Sequence, residues 1–176
     1  AGHGRAGALE PGFGHGGKVF ARAPKGIASA GFGAAALQGN GDLVVELRRE
    51  AGEGSGPGRE IERRLPDGSL DPSFGKDGRV RVGAGRGLAM RADGAILVGA
   101  TCGPKRGSLV LLDPNGNRVT SFGENGCGPA VGFAIYYIAP GLDGTIYLGG
   151  AVAICPCSVK EGVTHFEPIV ARLDAN

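Results

Sequence analysis

The run Phe74-Gly75-Lys76-Asp77-Gly78 decides the fold, because the chain writes it three times. It recurs as Phe13-Gly14-His15-Gly16-Gly17 and as Phe122-Gly123-Glu124-Asn125-Gly126. A second run keeps step with it: NGDLVVEL from Asn40, DGAILVGA from Asp93 and DGTIYLGG from Asp143. The phenylalanines are 61 and 48 residues apart, and Gly41, Gly94 and Gly144 of the second run are 53 and 50 apart. A period of about 50 residues built from four short strands belongs to propeller-type and related repeat architectures. Such repeats specify a scaffold, and function is decided by the side chains grafted on it.

Each repeat divides into four short strands. They are predicted at 18–21, 34–37, 43–47 and 60–65 in the first, and at 79–82, 87–90, 95–100 and 109–112 in the second. In the third they fall at 129–133, 134–138, 145–149 and 169–173. The Asn-Gly and Asp-Gly pairs before each third strand predict type I′ hairpin turns, whose two central residues both need φ > 0. No segment carries a capped helical period. The expected class is all-β: three tandem four-stranded β-propeller-type blades in a single repeat domain, 1–176, with repeats at about 7–67, 68–115 and 116–176. A β-trefoil is the alternative, disfavoured because trefoil lectins carry a Gln-x-Trp signature and this chain has no Trp.

Composition fits that reading. Glycine supplies 36 of 176 residues, about 20% against a usual ~7%. These glycines recur at fixed offsets beside apolar runs, so they read as turn residues rather than as disorder. Net charge is +2 with no block of five like charges. Arg48-Arg49 and Arg63-Arg64 are isolated pairs expected on solvated surface, and no basic stripe with interleaved aromatics marks a nucleic-acid partner. No apolar run reaches the ~18 residues of a membrane span. The chain starts Ala1-Gly2-His3, as a mature form after signal cleavage or a trimmed chain would. Its four cysteines, an even number, favour an oxidising compartment, so a secreted or cell-surface setting is expected.

The stretches DGSLDPSFGKDGRV from Asp67, LAMRADGAILVGA from Leu88 and LVLLDPNGN from Leu109 resemble the delta-60 type repeat. GALEPGFGHGGKV from Gly7 fits the same frame, with Glu10 in place of Asp. The resemblance covers nearly the whole chain. It implies propeller blades of a bacterial secreted or surface protein and supplies no catalytic residues. Closed propellers need four to eight blades. Three repeats therefore leave two open sheet faces, to be covered by another protein, by further repeats of the same protein, or by pairing of two chains into six blades. The final Leu173-Asp174-Ala175-Asn176 stops one residue short of where a next repeat would begin.

Length varies mostly in one connection, between third and fourth strands: 48–59, 101–108 and 151–168. In an up-and-down blade these loops emerge on one side, where repeat proteins place their binding face. Candidate anchors there are Arg48, Arg49, Arg106, His165 and Phe166. Cys102, Cys127, Cys155 and Cys157 are the disulfide candidates. A bond within Cys155-Pro156-Cys157 would be strained. Cys127 opens a first strand, at the far end of an ideal blade, so Cys102 is expected to pair with Cys155 or Cys157.

Several motifs are turned down. Gly12–Lys18 starts like a phosphate loop, but Val19 stands where the magnesium-binding Ser or Thr belongs. Residues 31–36 fit a loose dinucleotide fingerprint without the flanking strand and helix, and read as a glycine-rich connection. Asp113, Asn115, Asn117 and Glu124 have calcium-loop spacing, but Arg118 occupies the glycine position. Cys155, Cys157 and His165 match no zinc spacing. No metal or other cofactor and no catalytic residue is expected. The expected function is a non-catalytic interaction scaffold binding a protein through loops on one face. The alternatives are a carbohydrate-binding module using Tyr136, Tyr137 and Tyr147, and an enzyme with its site in a central channel.

Overall fold

The computed structural model describes residues 7–21, 27–51, 58–83, 85–102, 105–154 and 165–174. Among them there is no helix, and ten strands form three antiparallel sheets. The first sheet has the order β1 (Ile27–Leu37), β2 (Leu43–Ala51), β3 (Gly58–Arg64), β4 (Arg79–Arg81). The second runs β5 (Leu88–Met90), β6 (Ile96–Cys102), β7 (Lys105–Leu112), and the third β8 (Ala134–Pro140), β9 (Ile146–Ile154), β10 (His165–Leu173).

The three sheets stack in series, and the middle one is buried on both faces. Ile96, Val98, Ala100, Val110 and Leu112 pack with Val44, Ile61 and Phe74 of the first sheet and its turn. The intervening Ala95, Leu97, Leu109 and Leu111 pack with Phe133, Ile135, Ile146 and Leu148 on the third-sheet side. Period-two alternation thus feeds two cores from one sheet. Each fully buried Leu or Ile contributes roughly 1.5–3 kcal/mol.

The Phe-Gly run is a turn that needs its own residues. Gly75, Asp77 and Gly78 have φ of 56°, 53° and 83°; Gly14, Gly16 and Gly17 have 59°, 58° and 81°; Gly123, Asn125 and Gly126 have 60°, 53° and 79°. Three left-handed positions in five confine the fourth residue to Gly, Asp or Asn, the types that tolerate that region. Phe74 fills the core beneath its turn and is fully buried, while Phe122, half-buried, packs against the second core and Phe13 is half-buried.

The strands are phased differently from the sequence expectation. Residues 79–82 and 129–133 do not open the sheets of their own repeats. β4 pairs with β3 of the preceding sheet, Ile61 opposite Val80 and Glu62 opposite Arg79. In the same register Cys127 bridges Val110, and the Gly128 N–H donates to the Leu109 carbonyl at 2.8 Å. The cause is local. The chain leaving β3 turns tightly, with the Leu65 N–H on the Ser69 carbonyl at 2.9 Å and Arg64 paired with Leu70, and so folds back along the edge it has just left. Residues 18–21 form no strand among the described residues.

Other expectations change as well. Residues 31–36 lie inside β1 rather than in a connection. The Asp-Gly turns are not type I′: Gly41, Gly94 and Gly144 have positive φ, whereas Asn40, Asp93 and Asp143 do not. Instead the Asp93 and Asp143 carboxylates accept the N–H of the residue two positions on, each at 3.1 Å. That bond holds the acidic residue right-handed and leaves a type I turn closed by a left-handed glycine. Arg63 is buried rather than solvated. Its Nε donates to Asp71 Oδ2 at 2.7 Å, its Nη2 to Ser73 Oγ at 3.0 Å and its Nη1 to the Pro114 carbonyl of the next sheet's turn at 2.8 Å, and it lies 5.0 Å over the Phe74 ring. The Ser73 hydroxyl bond is the main cause holding the Asp71 carboxyl below its usual range; burial opposes it and Arg63 reinforces it.

Candidate functional site

The described residues of the connections between third and fourth strands are strand. β2 continues through Ala51 and β3 resumes at Gly58; β9 reaches Ile154 and β10 starts at His165. The ladder continues through segment 48–51, with Glu50 in register with Ser29 and Arg49 with Ala30, and the Arg49 charge finds a partner, its Nη2 lying 2.7 Å from Glu60 Oε2. Residues near all three of these hairpins meet at one end of the stack, where they line a single cleft of about 620 Å³. Arg59 comes from β3, Thr101 and Gly107 from the β6–β7 hairpin, Ala153 and Phe166 from the β9–β10 hairpin.

The floor of the cleft is built by close chain crossings. The segment leading into β5 passes over β6 at Gly99, whose N–H donates to the Gly87 carbonyl at 2.9 Å. A Cβ at Gly99 would collide with the Arg86 carbonyl, so only glycine allows this approach. Phe133 and Ile135 close the base, both buried. Arg86 is exposed and lies 5.2 Å over the Tyr136 ring, and the exposed Phe166 stands on the rim. Among the described lining residues there is no carboxylate, so the wall is aromatic, aliphatic and cationic.

Beside it sits a departure from the repeat. Glu46 stands where the other repeats have Gly99 and Gly149. It is 2% exposed and accepts from Arg48 Nε at 3.2 Å, from Arg59 Nη1 and from the Ala34 N–H at 3.4 Å. This buried carboxylate pins Arg59, a cleft residue that sequence reading missed. Its signal was the acidic residue in a slot that is otherwise glycine.

The predicted anchors do not converge. Arg48 points to the second sheet and Arg49 to the opposite face, as neighbours on a strand must. Phe166 alone among them lines the cleft. Arg106 and His165 lie on β7 and β10, and their side chains fall outside the described structure, as do Cys155 and Cys157. The disulfide joins Cys102 to Cys127, with Cα atoms 6.2 Å apart, not Cys102 to Cys155 or Cys157. The expectation misplaced Cys127, which lies on the edge of β7 in the same sheet as Cys102 rather than at the start of another. Among the described residues no three His, Cys, Asp or Glu side chains are grouped to hold a metal, and no helix is long and apolar enough to cross a membrane.

The chain matches no protein-family model, no curated protein and no solved structure. The cleft must therefore be read from its own chemistry.

Proposed function

We propose that this chain is a propeller-type segment of an exported or cell-surface protein, acting without catalysis as a scaffold that holds a protein segment in the cleft at its loop-bearing end. The observation that supports this most is the pairing of Arg86 with Tyr136 beside Phe166, over a floor of buried Phe133 and Ile135. Aromatic and arginine side chains on a rigid base are the usual anchors of interfaces. With cations and no described carboxylate in the wall, the preferred segment is one that carries an acidic side chain next to an aromatic or aliphatic one.

A displayed random-peptide library selected on the purified chain tests this. Enriched sequences should be acidic and apolar, and should lose binding at least ~10-fold to Arg86→Glu and to Tyr136→Ala, since one interface anchor is worth more than about 1.4 kcal/mol. Peptides that bind all variants equally, or no enrichment at all, would reject the cleft as the site.

A further inference from the structure

The stack ends on two unlike faces, and the chain itself shows what covers such faces. Val44 in β2 and Leu97 in β6 occupy equivalent positions and are 0% exposed, each covered by the following sheet; the third member of the set, Tyr147, is 44% exposed. Ile61 and Leu109 are likewise 0% exposed, whereas their counterpart Val170 is 79% exposed. Tyr137, opposite Gly149 on the same face, is 75% exposed. The outer face of the third sheet is thus an apolar seat of the kind that the first two sheets fill. At the other end, the first sheet presents Phe32 and Leu37, 42% and 66% exposed, on the face turned away from the second sheet. Beside them Arg49, Arg64, Arg79 and Arg81 pair with Glu60 and Glu62.

Edges repeat the pattern. β3 receives β4, and β7 receives Cys127 and Gly128, in each case from the segment just after a Phe-Gly turn. β10 has no such neighbour among the described residues, since the third sheet is β10-β9-β8. Residues 18–20 follow the first Phe-Gly turn and have no sheet. That turn is already docked on the first sheet as its counterpart is on the second: the Gly14 N–H donates to the Asp67 carbonyl at 2.6 Å, as the Gly75 N–H donates to the Asn115 carbonyl at 2.9 Å. Residues 18–20 therefore stand, unpaired with any sheet, at the end of the stack where a preceding sheet would lie, and among the described residues the sheet at the other end lacks the corresponding segment.

We infer that the outer face of the third sheet is the seat for the first sheet of a second copy of this chain, with residues 18–20 of that copy completing the sheet at β10. The inference rests on the stacked-sheet part of the reading above and is independent of the cleft. The register observed twice within the chain places Val19 opposite Val170, Lys18 opposite Ala171 and Phe20 opposite Ile169. Tyr137 and Tyr147 then meet Phe32, Leu37 and the stems of Arg79 and Arg81, a contact of arginine on aromatic like that of Arg63 on Phe74 at the existing junction. Two such junctions join two copies into a ring of six sheets.

The test combines mass with a cross-link. Light scattering after size exclusion should give twice 17.7 kDa for the native chain. Val170→Arg and Leu37→Asp should each be monomeric with unchanged circular dichroism, because a charge buried without a partner, at 170 also a cation set against Arg79 and Arg81, weakens association by at least ~100-fold. Mixing these two variants should restore association through their one intact junction. In a mixture of ¹⁴N and ¹⁵N chains carrying Val19→Cys and Val170→Cys, mass spectrometry should find isotopically mixed 19–170 disulfides. A monomeric native chain, a Leu37→Asp chain that still dimerises (third sheet against third sheet), or only unmixed 19–170 links would overturn the inference. Peptide capture by the cleft is read separately, so failure of one proposal leaves the other standing.

Discussion

Replacing Arg63 by Met probes the joint between the first two sheets. The variant loses the guanidinium that lies 5.0 Å over the Phe74 ring, and with it the bonds to Asp71, Ser73 and the Pro114 carbonyl. Removing one partner of a buried ion pair costs about 3–5 kcal/mol because the other charge stays behind without compensation. Asp71 retains the Ser73 hydroxyl and N–H, at 2.7 and 2.9 Å, and Gln38 still donates to the Pro114 carbonyl at 3.2 Å. The expected loss therefore lies at the low end, about 3 kcal/mol, or a melting point lower by roughly 6–12 °C for a chain of this size. Calorimetry and urea melts of Arg63→Met, Asp71→Asn and the double variant measure it, and the coupling energy isolates the pair. The pH dependence has a definite sign. The folded Asp71 carboxyl titrates below its ordinary value of 3.8, so the stability it contributes is present above that value and is lost as pH falls through the lower folded value. Without the guanidinium the folded value rises, and the gap between native chain and Arg63→Met should narrow below about pH 4. A loss under about 1 kcal/mol at neutral pH, or a gap independent of pH, would refute the reasoning.

Reducing the Cys102–Cys127 bond, whose ends are 25 residues apart, should cost about 3–4 kcal/mol on the chain-entropy account; equal melting points with and without reductant, or for Cys102→Ser and Cys127→Ser, would contradict it. Asp77, at φ 53°, should accept Gly with a change under about 0.5 kcal/mol and lose about 1–2 kcal/mol as Val, a β-branched residue forced left-handed; urea midpoints decide.

The Phe-Gly turns were legible because their conformation is dictated by residue type: a left-handed position admits few side chains, and the requirement shows as a repeated spelling. The hairpin strands were legible for a similar reason, since alternation in DGAILVGA states which residues share a face. The turn type was misread because Asp93 and Asp143 use their carboxylates on the backbone, and a dipeptide signature does not show which way that bond will hold the residue. Strand ends at Arg48-Arg49 were cut short because charge normally signals a loop; here Glu60 and the ladder keep it in the sheet. Phe166 was named from the sequence and lines the cleft, while Arg59, Arg86 and the cleft floor were not named, since their placement depends on chain crossings at Gly99 and on a buried Glu46.

By itself the sequence determined an all-β chain of repeated turns and short strands, because local steric rules and side-chain alternation act within a few residues. Which sheet each strand joins was decided only in the tertiary structure. There the chain leaving β3, and again the chain leaving β7, folds back on the edge it has just left, so that the segment expected to open the next sheet joins the preceding one. That same shift decided which cysteines meet, because it brings Cys127 to the edge of β7 beside Cys102.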